Sequence, residues 1–233
     1  MKPVYIFRHA ACVGPGYLGD FLENHGIPYK MICIDEDSHI PQQIDAVSGL
    51  IFMGGSMNVT DPLAWIDEEK KLILQADKQN IPVMGICLGA QLMSAALGAT
   101  ITHDPNMEIG WHAVNPCYDE TKYPWLNALP NNNVPFHWHA DSFSIPEGAT
   151  PLFHSQCRQN QAYIMNNHIA IQFHPEMTSE MVEEWVRLFG SDLEQGHACA
   201  QSADEILNDL DNKIIALQQC ADVFFEWWIK GLK

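Results

Sequence analysis

The 233-residue sequence predicts an α/β fold. The expected form is a three-layer sandwich with a mostly parallel central sheet, a small antiparallel section and a C-terminal helical extension. Three observations carry this. Short apolar runs alternate with helix-spaced segments through the first part of the chain, which implies a parallel sheet covered on both faces. From about Ala99 to His174, prolines and asparagines punctuate shorter runs, so hairpins replace crossovers. After Pro175 the chain turns helical.

Val4 to Phe7 is the first predicted strand, and Tyr17 to Asn24 the first short helix. Tyr29 to Ile34 and Leu50 to Met53 are the next strands, the latter ending in Gly54-Gly55. Asp61-Pro62 reads as an N-cap followed by proline in the first turn. Ile66, Leu72, Ile73 and Ala76 then carry helical spacing. Ile81 to Met84 is a strand and Leu88 to Leu97 a helix. Ligands of such sheets bind at the carboxyl ends of the strands, where Gly54-Gly55 and Cys87 both fall. Gln161 to Met165 and His168 to Phe173 read as strands joined by Asn166-Asn167, a pair that tolerates the positive φ of a tight hairpin. Thr178 or Ser179 can cap a helix carrying Met181, Val182, Trp185, Val186 and Phe189. Ser202 and Glu205 have capping-box spacing.

Leu207, Leu210, Ile214, Leu217, Ala221, Phe224 and Trp228 form one apolar stripe on a long terminal helix. The predicted organisation is one domain over residues 1–190, with 191–233 as an amphipathic helix packed upon it. The same stripe, widened by Phe225 and Trp227, would also serve a homodimer. Packing on its own domain is the simpler reading.

Twelve Lys and Arg stand against 29 Asp and Glu, a net charge of −17. A surface this acidic repels phosphate backbones and anionic membranes, so neither nucleic acid nor membrane is an expected partner. No run is long enough to span a bilayer. Arg8 and His9 cut the first apolar run too short for a signal-peptide core. The seven cysteines are odd in number and scattered, with no CxxC pair. This argues against a disulfide framework or zinc cluster and for a cytoplasmic protein.

The chemistry centres on Gly85-Ile86-Cys87-Leu88-Gly89-Ala90-Gln91. A cysteine between glycines at a strand-to-helix turn suits a nucleophile held at the top of a sheet. The helix N-terminus stabilises its thiolate. The backbone N–H of Leu88, with that of Gly55 on the neighbouring strand end, would form an oxyanion hole. His174 closes the strand ending at Phe173, and Glu176 stands two residues on across Pro175. That order supplies a nucleophile, a base and a carboxylate to orient the base. His137 and His139 alternate, so on a strand both face one side and make half a metal site. Spacing places no third ligand beside them, and neither metal nor cofactor is expected. Gly54-Gly55 lacks the Lys and Ser/Thr of a phosphate loop.

Gly-Ile-Cys-Leu-Gly-Ala-Gln followed by Gln172-Phe173-His174-Pro175-Glu176 resembles the class I (triad) glutamine amidotransferases, most closely free-standing domains similar to the glutaminase part of GMP synthetase. The resemblance implies a flavodoxin-like (Rossmann-like) sheet. It implies attack of Cys87 on the side-chain amide of glutamine, a γ-glutamyl thioester, and release of ammonia and then glutamate. It also implies that Gln91 helps bind glutamine, and that Trp138-His139-Ala140-Asp141 cradles its amino and carboxylate groups, with Asp141 on the α-ammonium. Two departures line the substrate pocket: Ser56-Met57-Asn58 follows the glycine pair where the family usually has Pro and later Ser, and Ala140 replaces a common Gly. The chain carries no segment for ATP or acceptor binding, so the first reading is a glutaminase that passes ammonia to a separate synthase subunit. The second is a stand-alone γ-glutamyl peptidase. A catalytically silent regulatory module is the third, and the intact triad argues against it.

Overall fold

The computed structural model describes residues 1–130 and 133–233. Its strands are β1 (Val4–Arg8), β2 (Tyr29–Cys33), β3 (Gly49–Phe52), β4 (Val83–Ile86), β5 (Ile101–Thr102), β6 (Glu108–Trp111), β7 (Val114–Pro116), β8 (Phe136–His139), β9 (Ser142–Phe143), β10 (Thr150–Ser155), β11 (Ala162–Met165), β12 (His168–Ile171) and β13 (Cys199–Ala200). Its helices are α1 (Gly16–Asn24), α2 (Ala64–Lys78), α3 (Leu88–Ala96), α4 (Ser179–Leu188), α5 (Gly190–Leu193), α6 (Ala203–Leu207) and α7 (Leu210–Ile229). The main sheet has the order β2-β1-β3-β4-β12-β11-β10-β7. The first five strands run parallel and the last three alternate, as the sequence predicts. A second sheet, β13-β6-β8, stands apart from the first.

Both faces of the main sheet are covered. Ile6, Ile51 and Met84 point toward the side of α1, α4 and α7. Their neighbours Phe7, Leu50, Phe52 and Val83 point toward α2 and α3. The alternation is the two-residue period of the strand. With both faces buried, β3 and β4 read as unbroken apolar runs.

Several expected details shift. The strand expected at 81–84 runs over Val83–Ile86 and so delivers the chain directly into Cys87. Asp61 does not cap α2. Leu63 holds that position without a side-chain cap, and the Asp61 carboxylate instead accepts the Asn58 N–H at 2.9 Å. Thr178 caps α4, and Ser202 with Glu205 forms the expected capping box on α6. Asn166 takes the hairpin's positive φ of 56°.

The terminal helix is broken at Asp209, whose φ is 55°. Leu207 therefore falls on α6 and is exposed, outside the stripe. The rest of the stripe is buried against the chain's own α1, α4 and the turn Pro124–Ala128. Phe225 is fully buried, and Trp227 stacks on Trp125 at 5.1 Å. The surface offered to a homodimer is thus already covered.

The cysteine reading needs correction. Cys157 and Cys199 form a disulfide, because the parallel pairing of β13 on β6 brings their Cα atoms to 6.4 Å. That separation is within the normal span of a disulfide. Forty-two residues separate them in sequence, so no local motif announces the pair. The odd cysteine count therefore carries no argument about compartment. Among the described residues, no helix is long and apolar enough to cross a membrane.

We propose that residues 1–190 and 191–233 unfold as one unit. Trp228 is 1% exposed and lies against the backbone of Gly49, where an added Cβ would come within 2.9 Å of the indole. Trp228→Ala is expected to cost about 3–5 kcal/mol, the usual range for a buried aromatic cut to alanine. Urea unfolding followed by fluorescence and far-UV dichroism should give one coincident transition. Two separated transitions would show the tail to be an independent unit.

Candidate active site

Cys87 follows β4 without a spacer and has φ 51° and ψ −108°. A non-glycine residue in that region is strained and persists only when its surroundings over-determine it. They do so here. The Cys87 N–H donates to the Ile171 carbonyl at 2.8 Å, and the Cys87 carbonyl accepts from Gln91 N–H at 3.0 Å. The Gly89 N–H donates to the Met53 carbonyl at 3.1 Å. Glycine is required at both flanks. A Cβ at Gly85 would lie 2.5 Å from the Gly89 carbonyl oxygen, and one at Gly89 would collide with the carbonyl of Phe52.

His174 stands beyond the end of β12 and is buried. Its Nδ1 meets the Glu176 Oε1 at 2.8 Å, and its ring packs edge-on against Trp185 at 4.8 Å. Its other flank lies beside Cys87. A Cβ on Gly54 would touch both, at 3.0 Å from the imidazole and 3.5 Å from the Cys87 Cβ. Burial by itself lowers the His174 pKa, but the charges of Glu176 and Cys87 outweigh it and carry it to about 10. Glu176 and Cys87 thus favour the protonated form of the ring.

Gly55 lines the cavity above Cys87. No hydrogen bond from the Gly55 or Leu88 N–H is found among the described residues. Leu88 is the first residue of α3, where a helix leaves its donors free.

Beneath the glycine pair lies a buried group that the sequence did not reveal. His9 places its Nδ1 at 3.0 Å from the Met53 carbonyl and 3.2 Å from that of Gly54, and its Nε2 at 3.0 Å from Glu69. Every partner is an acceptor, so both ring nitrogens donate and the ring is charged. Burial opposes that charge, but Glu69 and the two carbonyls raise its pKa above the ordinary value. Sixty residues separate His9 from Glu69. The available signal was position: His9 stands just past a strand's carboxyl end, as Cys87 and His174 do.

The cavity measures ≈ 250 Å³. Cys87, His174, Gln91, Trp138 and Asp141 line it, together with Gly55, His139 and Ala140. Leu88 and Glu176 lie behind its wall. The Gln91 amide donates to the Asp141 carbonyl at 3.4 Å and to Gln172 Oε1 at 3.3 Å. Asp141 Oδ1 is met by His103 Nδ1 at 2.6 Å. Asp192 also reaches the cavity and accepts the Trp138 indole N–H at 3.0 Å.

The third group beside His137 and His139, absent from the sequence spacing, is supplied by the fold. Glu108 on β6 pairs with His139 on β8, and the three side chains are buried together. Burial holds His137 well below its ordinary value, at about 3, against the opposing charge of Glu108. Burial likewise lowers His139.

Residues 19–189 match the family model of the class-I glutamine amidotransferases. The chain belongs to this family. Its members are generally enzymes. A crystal structure of a glutamine amidotransferase from Methylobacillus flagellatus superposes with a TM-score of 0.95 at 38% identity, covering 100% of this chain and 96% of that one. The glutamine-hydrolyzing GMP synthase subunit of Thermoplasma acidophilum is 28% identical over 67% of this chain and 75% of its own length. Gamma-glutamyl peptidase 4 of Arabidopsis thaliana is 26% identical over 76% of this chain and 74% of its own.

Two expectations follow from these charges. Because the folded His174 pKa is raised, its contribution to stability is fully present below the unfolded value of about 6.5 and is lost as pH rises through about 10. Histidine-detected NMR should show the His174 imidazolium persisting beyond pH 8, and Glu176→Gln should lower its titration. Glu69→Gln leaves a buried imidazolium without its counter-charge. It is expected to cost about 3–5 kcal/mol in urea unfolding.

Proposed function

We propose that the protein hydrolyses the γ-amide of glutamine to glutamate and ammonia, with Cys87 as nucleophile, His174 as acid and base, and Glu176 as the group that orients His174. The observation that carries this reading is the strained elbow at Cys87, set beside the buried His174 in the lining of one cavity, with Glu176 holding His174 from behind.

The Cys87 thiolate attacks the γ-carbonyl carbon, and the oxygen takes up negative charge. The N–H groups of Leu88 and Gly55, which make no hydrogen bond among the described residues, receive that charge. The tetrahedral intermediate collapses as His174 gives its proton to the departing nitrogen, which leaves as ammonia. His174, now neutral, takes a proton from water. The hydroxide attacks the thioester, collapse expels the Cys87 thiolate beside the reprotonated histidine, and glutamate leaves with its γ-carboxyl proton released to solvent. Glu176 holds the imidazole in one orientation throughout.

Gln91 and the Trp138–Asp141 segment are assigned to the substrate. Asp141 takes the α-ammonium, with His103 fixing its carboxylate. The GMP synthase relative is by its name one part of a larger synthase, and by that likeness the ammonia is passed to a separate synthase chain. A γ-glutamyl peptide substrate is the second reading. It is favoured by the likeness to gamma-glutamyl peptidase 4 and by a second carboxylate, Asp192, with Trp138, Trp185 and Phe189 along the same cavity.

Purified protein given glutamine, and separately γ-glutamyl dipeptides, decides between the two. Release of glutamate from glutamine, with a γ-glutamyl adduct on Cys87 by intact mass, is the expected result. Cleavage of the dipeptides in preference to glutamine would favour the second reading. Cys87→Ala is expected to lower turnover by at least about 10⁴-fold with its melting temperature retained. Substantial remaining activity would remove Cys87 from the mechanism.

A further inference from the structure

We propose that Glu108, His137 and His139 form a buried binding site for a divalent metal ion of the zinc class. Glu108 and His139 are direct cross-strand partners on β6 and β8, and His137 lies two residues along the same face. Glu108 Oε2 is 3.2 Å from His139 Nε2 and 3.7 Å from His137 Nδ1. The two ring nitrogens are 3.4 Å apart.

The outward side of each ring decides what the inward side can be. His139 Nδ1 faces the Asp141 carbonyl at 3.2 Å, and His137 Nε2 faces the His112 carbonyl at 3.3 Å. A carbonyl only accepts, so those nitrogens carry the N–H of each neutral ring. The inward nitrogens then present lone pairs. The Glu108 carboxylate also only accepts. Three lone-pair atoms therefore converge in a dry interior, where unrelieved repulsion is costly. A cation at their centre resolves it.

The spacing favours a metal over a proton. A charge-assisted hydrogen bond would draw two of these atoms to about 2.7–2.9 Å. Tetrahedral zinc, with bonds of about 2.0–2.2 Å, sets its ligands about 3.3–3.6 Å apart. The observed triangle of 3.2, 3.4 and 3.7 Å brackets that edge. Backbone carbonyls on the far nitrogens are the usual outer partners of metal-bound histidines. Gln161 Nε2 supports the carboxylate from outside, donating to Glu108 Oε2 at 2.6 Å. Two imidazoles and one carboxylate suit zinc better than calcium or magnesium, which prefer oxygen alone. His139 lines the cavity, which gives an ion its way in. The bound ion would pin β8 to β6 and so fix the Trp138–Asp141 wall of the cavity.

The test uses the full chain carrying Cys87→Ser, so that the Cys87–His174 pair does not compete for metal. After chelation and dialysis it is titrated with zinc and, separately, with cobalt. One zinc per chain retained through gel filtration, a rise in melting temperature and the visible absorption of tetrahedral cobalt are expected. Adding His137→Asn or Glu108→Gln should each weaken zinc binding by more than about 100-fold, beyond what losing an outer partner costs. Failure of the parent to retain zinc, retention undiminished by both substitutions, or an octahedral cobalt spectrum would overturn the proposal. Should the substituted chains misfold, nitrogen-15 histidine NMR of the parent decides it. His137 Nδ1 and His139 Nε2 must shift on zinc addition. A proton on His139 Nε2 that persists in excess zinc would show a shared hydrogen bond instead.

Discussion

The left-handed backbone at Cys87 is the constraint on which the rest of the site depends. Strain of this kind costs on the order of 1–3 kcal/mol, and it survives because two neighbouring strands hold it. Ile171 on β12 accepts the Cys87 N–H, Met53 beyond β3 accepts the Gly89 N–H, and Phe52 leaves no room for a side chain at Gly89. The Met53 carbonyl has a second donor in His9. The glycine pair, the elbow and the His9–Glu69 pair therefore share one acceptor, so movement of any of them is felt by the others. This coupling explains why a charged histidine is kept in the core beneath Gly54-Gly55 despite the cost of burying it.

Charge is distributed about the cavity in a consistent way. Two imidazoliums, His9 and His174, are each paired with a fully buried carboxylate, Glu69 and Glu176. The neutral pair His137 and His139 stands apart, on the second sheet, and faces Glu108. The same residue type thus takes opposite charge states within one molecule. What separates them is the neighbour: His9 meets only carbonyls and the Glu69 carboxylate, whereas the inward nitrogens of His137 and His139 face each other at 3.4 Å, so the two rings oppose each other's charge.

Much of this site is legible in the sequence because it is built at strand ends. Gly-Ile-Cys-Leu-Gly records both the sharp turn and the close packing that forces it, and His-Pro-Glu records a histidine and its carboxylate partner within two residues of each other. The main sheet is legible for a similar reason, since strands buried on both faces are plain apolar runs. The misreadings have physical causes. Asp61 resembled a cap, but its carboxylate closes a local turn with Asn58. Leu207 fitted the helical period, but the left-handed residue Asp209 rotates what precedes it off the stripe. Cys157 and Cys199 looked unrelated because only the docking of β13 brings them together.

The sequence by itself determined the fold class, the elbow at Cys87 and the local partnership of His174 with Glu176. These rest on periodicity and on contacts between residues a few positions apart, which a linear chain records directly. Only the tertiary structure decided that His9 meets Glu69, that Asp192 enters the cavity, that the apolar tail is covered by its own domain, and that Glu108 completes a triangle with His137 and His139. Each of these joins residues from separate elements through strand register or helix docking. Sequence spacing holds no trace of such a distance until the sheet order brings the two ends together.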